Sequence, residues 1–268
     1  MSAPLIEAVE ARWQVSTEVG WLDNVTNAER ADEVLSALRW QTAFVGGYER
    51  VLRGGNTASL EVGVSADFFP RFEGLDQVGP ALELGWEKKL GLGAYRPTLQ
   101  AGVGAEWMIG QERDRGGQGA QARLAIRQRV TSALVLTVGY EGRRFDARGR
   151  AFDRTAREWS AQSDWSINEA WRIRIELRRR EGDVVSYSRP PRPDLVALGK
   201  PITFVDTFEQ AQPWIAYYFD ARTTSSLVEV ARGSGRNTFA VRHEYHDTQH
   251  GNSGYLNQVT AIRFGRRF

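Results

Sequence analysis

Hydrophobic and polar positions alternate along most of this chain with a period of two. From Val9, the residues Val9, Ala11, Trp13, Val15, Thr17, Val19 and Trp21 alternate with Glu10, Arg12, Gln14, Ser16, Glu18 and Gly20. Successive side chains of a strand point to opposite faces, so this run predicts one strand with an apolar and a polar face. It exceeds the five or six residues typical of a soluble strand and suffices for a tilted bilayer crossing, which takes about 9–11 residues. The pattern returns in residues 58–68, 99–107, 122–126, 134–140, 171–177 and 239–245, and helical spacing is nowhere sustained.

The apolar positions are rich in aromatics and the alternate ones in charges. In a soluble sandwich the charged face meets water and the apolar face meets a second sheet. Here the charges are placed to pair across a lumen, which predicts an all-β, transmembrane, antiparallel up-and-down barrel forming a single domain over residues 1–268. The connections agree. Tight ones at 53–56, 91–97, 131–132 and 168–170 alternate with long ones at 22–35, 70–80, 110–119, 143–154 and 179–200, as in barrels with short periplasmic turns and longer outer loops. Trp165 and Trp171 flank the tight Asn168 turn, where an interfacial aromatic belt would sit. About thirteen runs are visible, and a barrel with both ends in the periplasm needs an even number. Splitting residues 201–220 into two strands around a turn at 209–212 gives about 14 strands, the expected count; merging weak runs gives the alternative, 12.

Composition changes the picture little. Mean hydropathy is −0.44 and no apolar run approaches a spanning helix, but a membrane barrel shows lipid only every second residue. The opening Met1-Ser2-Ala3-Pro4 has neither a basic nor an apolar signal region, so the expectation is a mature chain or a domain cut from a longer one. Cysteine is absent, which excludes disulfides, zinc–thiolate sites and a cysteine nucleophile. Three of the 35 basic residues are lysines (Lys88, Lys89, Lys200), so 32 are arginines, interleaved with 33 acidic residues. That balance speaks against a nucleic-acid partner.

The final segment, residues 255–268, ends on Phe268 with apolar residues at alternate positions before it. It resembles the terminal strand of bacterial outer-membrane proteins, although Arg266 stands where an apolar residue is usual. The resemblance implies a bacterial outer-membrane location, surrounding lipid and lipopolysaccharide, and recognition by the barrel assembly machinery through Ile262, Phe264 and Phe268. Residues 19–26, Val-Gly-Trp-Leu-Asp-Asn-Val-Thr, resemble the first strand and loop of barrels that follow tetratricopeptide domains, among them polysaccharide exporters and surface-lipoprotein assembly modifiers. That resemblance implies the barrel half of a longer protein.

Catalytic and metal motifs are weak. His243, His246 and His250 cluster, but a spacing of three on a strand puts His243 and His246 on opposite faces, and His250 falls in a predicted loop. Ser253, His246 and Asp247 are near in sequence, which adds little because triads assemble in space. Gly102-x-Gly104 lacks the Gly-Lys-Ser/Thr and helix of a phosphate loop. No catalytic, metal or cofactor site is expected, although an outer-membrane hydrolase using His246 is one alternative. The charge layout says more. Predicted lumen-lining positions are Arg123, Arg127, Arg129, Arg172, Arg174, Arg242 and Arg263, with Glu106, Glu141, Glu158, Asp164, Glu176 and Glu244. They form either a self-neutralised ladder or a path selecting one ion sign. Two predicted outer loops are basic, with Arg144, Arg148 and Arg150 in one and Arg179, Arg180, Arg189 and Arg192 in the other. These could hold lipopolysaccharide phosphates or steer an anion. The expectation is a transport barrel, a channel or exporter pore for an anionic or polysaccharide solute; the alternative is a non-conducting docking or assembly barrel.

Overall fold

Strands form wherever the alternation was legible, and they run further than it did. The computed structural model describes residues 9–190, 192–198, 202–205, 207–208 and 213–268. In chain order the strands are β1 (Val9–Leu22), β2 (Ala37–Leu52), β3 (Asn56–Phe68), β4 (Gln77–Lys89), β5 (Thr98–Gly110), β6 (Gly117–Arg129) and β7 (Leu134–Ala147). They continue with β8 (Arg154–Ser166), β9 (Trp171–Ser188), β10 (Ile202–Val205), β11 (Trp214–Ser234), β12 (Asn237–His250) and β13 (Ser253–Arg267). A short helix, α1 (Pro193–Leu198), precedes β10.

Each strand pairs antiparallel with its neighbour, β13 returns to β1, and β11 pairs with β9. Twelve strands thus close into a cylinder, and β10 stays outside. The count is the alternative twelve and not the preferred fourteen, for a visible reason. Trp214–Ser234 is one continuous strand of 21 residues, and residues 202–205 pair only with its outer end, Trp214–Tyr217. There β10 takes the side of β11 that β12 occupies lower down, where the ladder runs from Arg222 to Ser234. Residues 209–212, the expected turn, lie outside the described residues. Parity survives, and both described chain ends meet at one rim, where the Phe268 N–H donates to the Trp13 carbonyl (2.9 Å).

Tight turns gather at that same rim, apart from the two-residue Gly251–Asn252 turn between β12 and β13 at the other. Gly54 and Gly55 turn with φ of 72° and 73°, a left-handed backbone that glycine adopts without a Cβ penalty. Asn168 Oδ1 accepts from the Ala170 and Trp171 N–H groups, closing the β8–β9 turn. The long loops lie at the opposite rim.

The outer wall is apolar. Trp13, Tyr48, Trp165, Trp171 and Phe264 stand exposed toward the tight-turn rim, and Trp21, Trp40, Phe68 and Trp107 toward the loop rim. Between these belts lie Val62, Leu82, Val103 and Leu124, also exposed. Trp13 and Trp21 are eight residues apart on one strand, about 27 Å of chain, or about 21 Å of height at the usual tilt. That matches the apolar band of a membrane barrel, and no soluble surface would show so continuous an apolar belt. Trp13 lies flat over Gly46 and stacks on Phe44 (5.4 Å), where a Cβ on Gly46 would fall 2.3 Å from the ring.

The densest apolar packing is not in the wall. At the loop rim Phe69, Phe72, Leu75, Phe152, Tyr187 and Trp214 come together with Val205 and Phe208 into a buried cluster. Phe208 meets Phe72, Tyr187 and Trp214 with ring centroids 4.9–5.4 Å apart. Segments from the β3–β4 and β7–β8 loops, β9, β10 and β11 therefore pack into a cap. Glu33 of the β1–β2 loop fastens it, accepting from Ser188 Oγ (2.7 Å), the Arg189 N–H (2.9 Å) and Arg192 (3.0 Å).

Candidate pore and chamber

The inward positions carry a ladder of ion pairs. Glu18 of β1 is held between Arg39 of β2 (3.0 Å) and Arg242 of β12 (2.7 Å). Arg242 also meets Glu244 (3.2 Å), which holds Arg178 of β9 (3.4 Å) past the small Ser225. Arg263 reaches Glu229 (2.7 Å), Arg174 reaches Asp164 (3.0 Å), Arg143 reaches Glu141 (3.0 Å), and Arg123 pairs with Glu83. Glu18 and Glu229 are nearly buried, so losing an arginine partner would leave their charge uncompensated, whereas Arg123 and Arg143 are half exposed and their pairs add little stability.

The ladder does not neutralise everything. Arg127, Arg129 and Arg172, near the tight-turn rim, are exposed and make no ion pair among the described residues. At Arg172 a recess of about 550 Å³ is lined by Arg172, Arg174, Arg236, Arg263 and Arg267 against Glu169 and Glu229. This end of the lumen is basic.

At the other end a chamber of about 390 Å³ lies below the cap. Its wall draws on all sides of the cylinder: Arg39 of β2, Gln77 of β4, Arg154 of β8, Arg180 of β9, His246 of β12 and Tyr255 of β13. Phe69, Leu75, Phe152 and Tyr187 of the cap also line it. Next to Leu75, burial raises the Asp76 carboxyl above its ordinary range, against the pull of the Phe69 N–H it accepts (2.7 Å), and Glu73 adds to the rise.

No protein-family model matches the sequence, and no curated protein matches it. Solved structures do. An outer membrane channel from Pseudomonas putida F1 superposes with a TM-score of 0.54 at 11% identity, covering 100% of both chains. The NanC porin superposes at 0.50 and 9% identity, covering 94% of this chain and 98% of that one. This chain shares its fold with outer-membrane channels. At these identities the likeness is one of architecture, so everything chemical rests on this chain's own residues.

Every sequence-predicted lumen position falls on the inner face. Arg123, Arg174, Arg242, Arg263, Glu141, Asp164 and Glu244 join the ladder, and Glu176 sits 3.8 Å from Arg178. Glu106 and Glu158 also face inward, in register with Gly119 and Arg180. The loop predictions fare unevenly. Arg148 and Arg150 are exposed loop residues as expected. Arg144 is a strand residue on the outer face of β7, and Arg179 is another on β9. Arg180, also on β9, points into the chamber. Arg192 is buried against Glu33, and Arg189 stacks over Trp214 (5.0 Å). Arg144, Arg179 and Arg180 share one cause: ladder hydrogen bonds join backbones, so β7 and β9 keep pairing through stretches whose side chains read as loop. Arg189 and Arg192 follow β9 and are drawn into the cap by Trp214 and Glu33.

His250 likewise ends β12 instead of lying in a loop, stacked on Phe219 (4.5 Å). His243 faces out, bonded to Thr260 (2.9 Å), and His246 faces in. Among the described residues no three His, Asp or Glu side chains gather as metal ligands would. Asp247 lies on the face of β12 opposite His246, so the sequence-adjacent triad does not form. Instead His246 Nδ1 lies 2.8 Å from Ser225 Oγ and Nε2 lies 3.2 Å from Glu244. Ser225 sits mid-strand, where neighbouring amides are spent in the ladder and offer no oxyanion hole, and Glu244 is committed to two arginines. The geometry orients His246 and does not prepare a nucleophile.

Sequence reasoning missed Glu18 as a hub, Arg39, Arg115, Arg154 and Glu33. Arg39 carried a signal, since Leu38-Arg39-Trp40-Gln41 alternates. Glu33 carried none, because its partners lie 155 or more residues away.

Proposed function

We propose that this chain is a bacterial outer-membrane transport barrel, a channel or exporter pore for an anionic solute or polysaccharide. One observation carries the reading: a closed cylinder, apolar outside, whose inner rim keeps Arg127, Arg129 and Arg172 free of ion pairs among the described residues. Conductance in planar bilayers tests it. Stepwise currents with a reversal potential favouring chloride in a KCl gradient are expected; a folded barrel that passes no current overturns it.

A second reading, a non-conducting docking or assembly barrel, is favoured by the cap, whose aromatic cluster lies across the loop rim. Co-purification of a stable partner with a silent barrel would decide for it. Residues 19–26 support a finer form of the first reading, the barrel of a tetratricopeptide-linked exporter or surface-lipoprotein assembly modifier. The full reading frame tests that form: an upstream helical-repeat domain is expected, and a signal peptide directly ahead of the barrel overturns it.

Lipopolysaccharide is the partner we assign to the outward arginines at and above the Trp159 level, Arg144, Arg157, Arg179 and Arg222, whose guanidiniums suit phosphate forks. Ile262, Phe264 and Phe268, all exposed on the outer face, are the assembly signal in this reading.

A further inference from the structure

Beneath the cap three guanidiniums converge with no carboxylate among the described residues in ion-pair contact with them. Arg154 lies over the Phe145 ring (5.0 Å). Arg115 donates to the Tyr187 hydroxyl (2.7 Å), and Arg180 to the Asp183 carbonyl oxygen (2.9 Å). All three line the same chamber, and Arg180 Nε is buried without a hydrogen-bond partner. Of the two acids in that lining, Asp183 accepts from the Thr155 N–H (2.6 Å), and Asp67 accepts from Gln77 through Oδ2 (2.8 Å) while its Oδ1 is buried without a partner, on β3 and so across the cylinder from β8 and β9. Glu158 faces Arg180 across the β8–β9 register but closes no ion pair and lies outside the lining.

A buried donor left unmet, such as Arg180 Nε, is costly, and one that faces a cavity can be met there by a ligand. A chamber of about 390 Å³ has the size of a small-molecule site. Phe69, Phe152 and Tyr187 add an apolar surface for the carbon face of a sugar ring. We propose that this chamber binds a sugar acid or sugar phosphate, its anionic group held in the forks of Arg115, Arg154 and Arg180. The proposal rests on the channel reading for its purpose, since a transported solute would pause here beneath the cap.

Calorimetric titration of the purified full chain in detergent, at low salt to limit screening, tests it with glucuronate, glucose 6-phosphate and neutral glucose. Both anions should bind and glucose should not. Arg154→Gln and Arg180→Gln should each weaken anion binding about tenfold or more, while Arg232→Gln on the outer face leaves it unchanged. Circular dichroism checks the barrel in each variant; if Arg154→Gln fails to fold, Arg115→Gln and Arg180→Gln carry the test. Absence of anion binding at millimolar concentration, or equal affinity in the Arg115→Gln/Arg180→Gln double variant, overturns the site. Conductance on the same samples separates the two readings. A barrel that conducts without binding loses the site alone, and one that binds without conducting loses the channel alone.

Discussion

Trp21 and Trp214 are both large aromatic side chains on long strands, yet the first stands half exposed on the outer wall and the second is fully buried in the cap. The wall needs only that each residue choose a face. Its apolar side chains look outward to lipid, most of its charges face inward, and register follows from neighbours in the ladder. The cap obeys ordinary globular rules, with interlocked aromatics over a buried Glu33–Arg192 pair. One molecule thus holds two kinds of core. The cap is the part whose contacts can be broken without unpairing the cylinder.

The largest effect should come from removing the part of it that follows β9, with Val205 and Phe208. Ser188 and Ile215 are direct partners in the β9–β11 ladder, so a short linker replacing residues 190–212 closes the same hairpin. Single-channel conductance should rise several-fold over the intact chain. Unchanged conductance would place the constriction in the wall and not in the cap.

Trp214→Ala separates the two cores by energy. Emptying a fully buried tryptophan site costs about 3–5 kcal/mol, and hydrogen exchange should show that loss in cap amides while wall amides keep their protection. Trp21→Ala, facing lipid, should leave cap amides unmoved. Glu33→Gln is milder, because the amide oxygen still accepts from Ser188 while the charge facing Arg192 is lost. About 2–3 kcal/mol is expected, read as faster proteolysis within residues 189–213; a cleavage rate equal to wild type would mean the latch does not hold the cap.

The same division explains what the sequence revealed. The wall was legible because period two is local: Leu60, Val62 and Val64 announce their face without reference to anything distant. The lumen list was legible for the same reason, being the complement of the apolar one. Strand number was less so, since Trp214–Tyr217 belongs to a barrel strand that extends past the rim and pairs there with β10. The cap was not legible at all. Phe72, Phe152, Phe208 and Trp214 meet across more than 140 residues of chain, and no spacing in the sequence encodes that meeting. Arg154 and Arg180 inherit the same opacity, because the chamber exists only once the cap covers it.

The smallest effect concerns the other end of the lumen. Arg127 and Arg172 are exposed and unpaired among the described residues, so reversing them leaves no buried charge stranded and should not change stability. Their influence is on permeating ions, through a field that salt screens over about 10 Å at 0.1 M and about 3 Å at 1 M. Arg127→Glu/Arg172→Glu should therefore shift the reversal potential toward cation selectivity at 0.1 M KCl and much less at 1 M. A shift of equal size at both concentrations would mean that a change in shape, not charge, is responsible. No shift at either would move the selecting arginines up to the chamber, leaving the cap end of the barrel to do both the closing and the choosing.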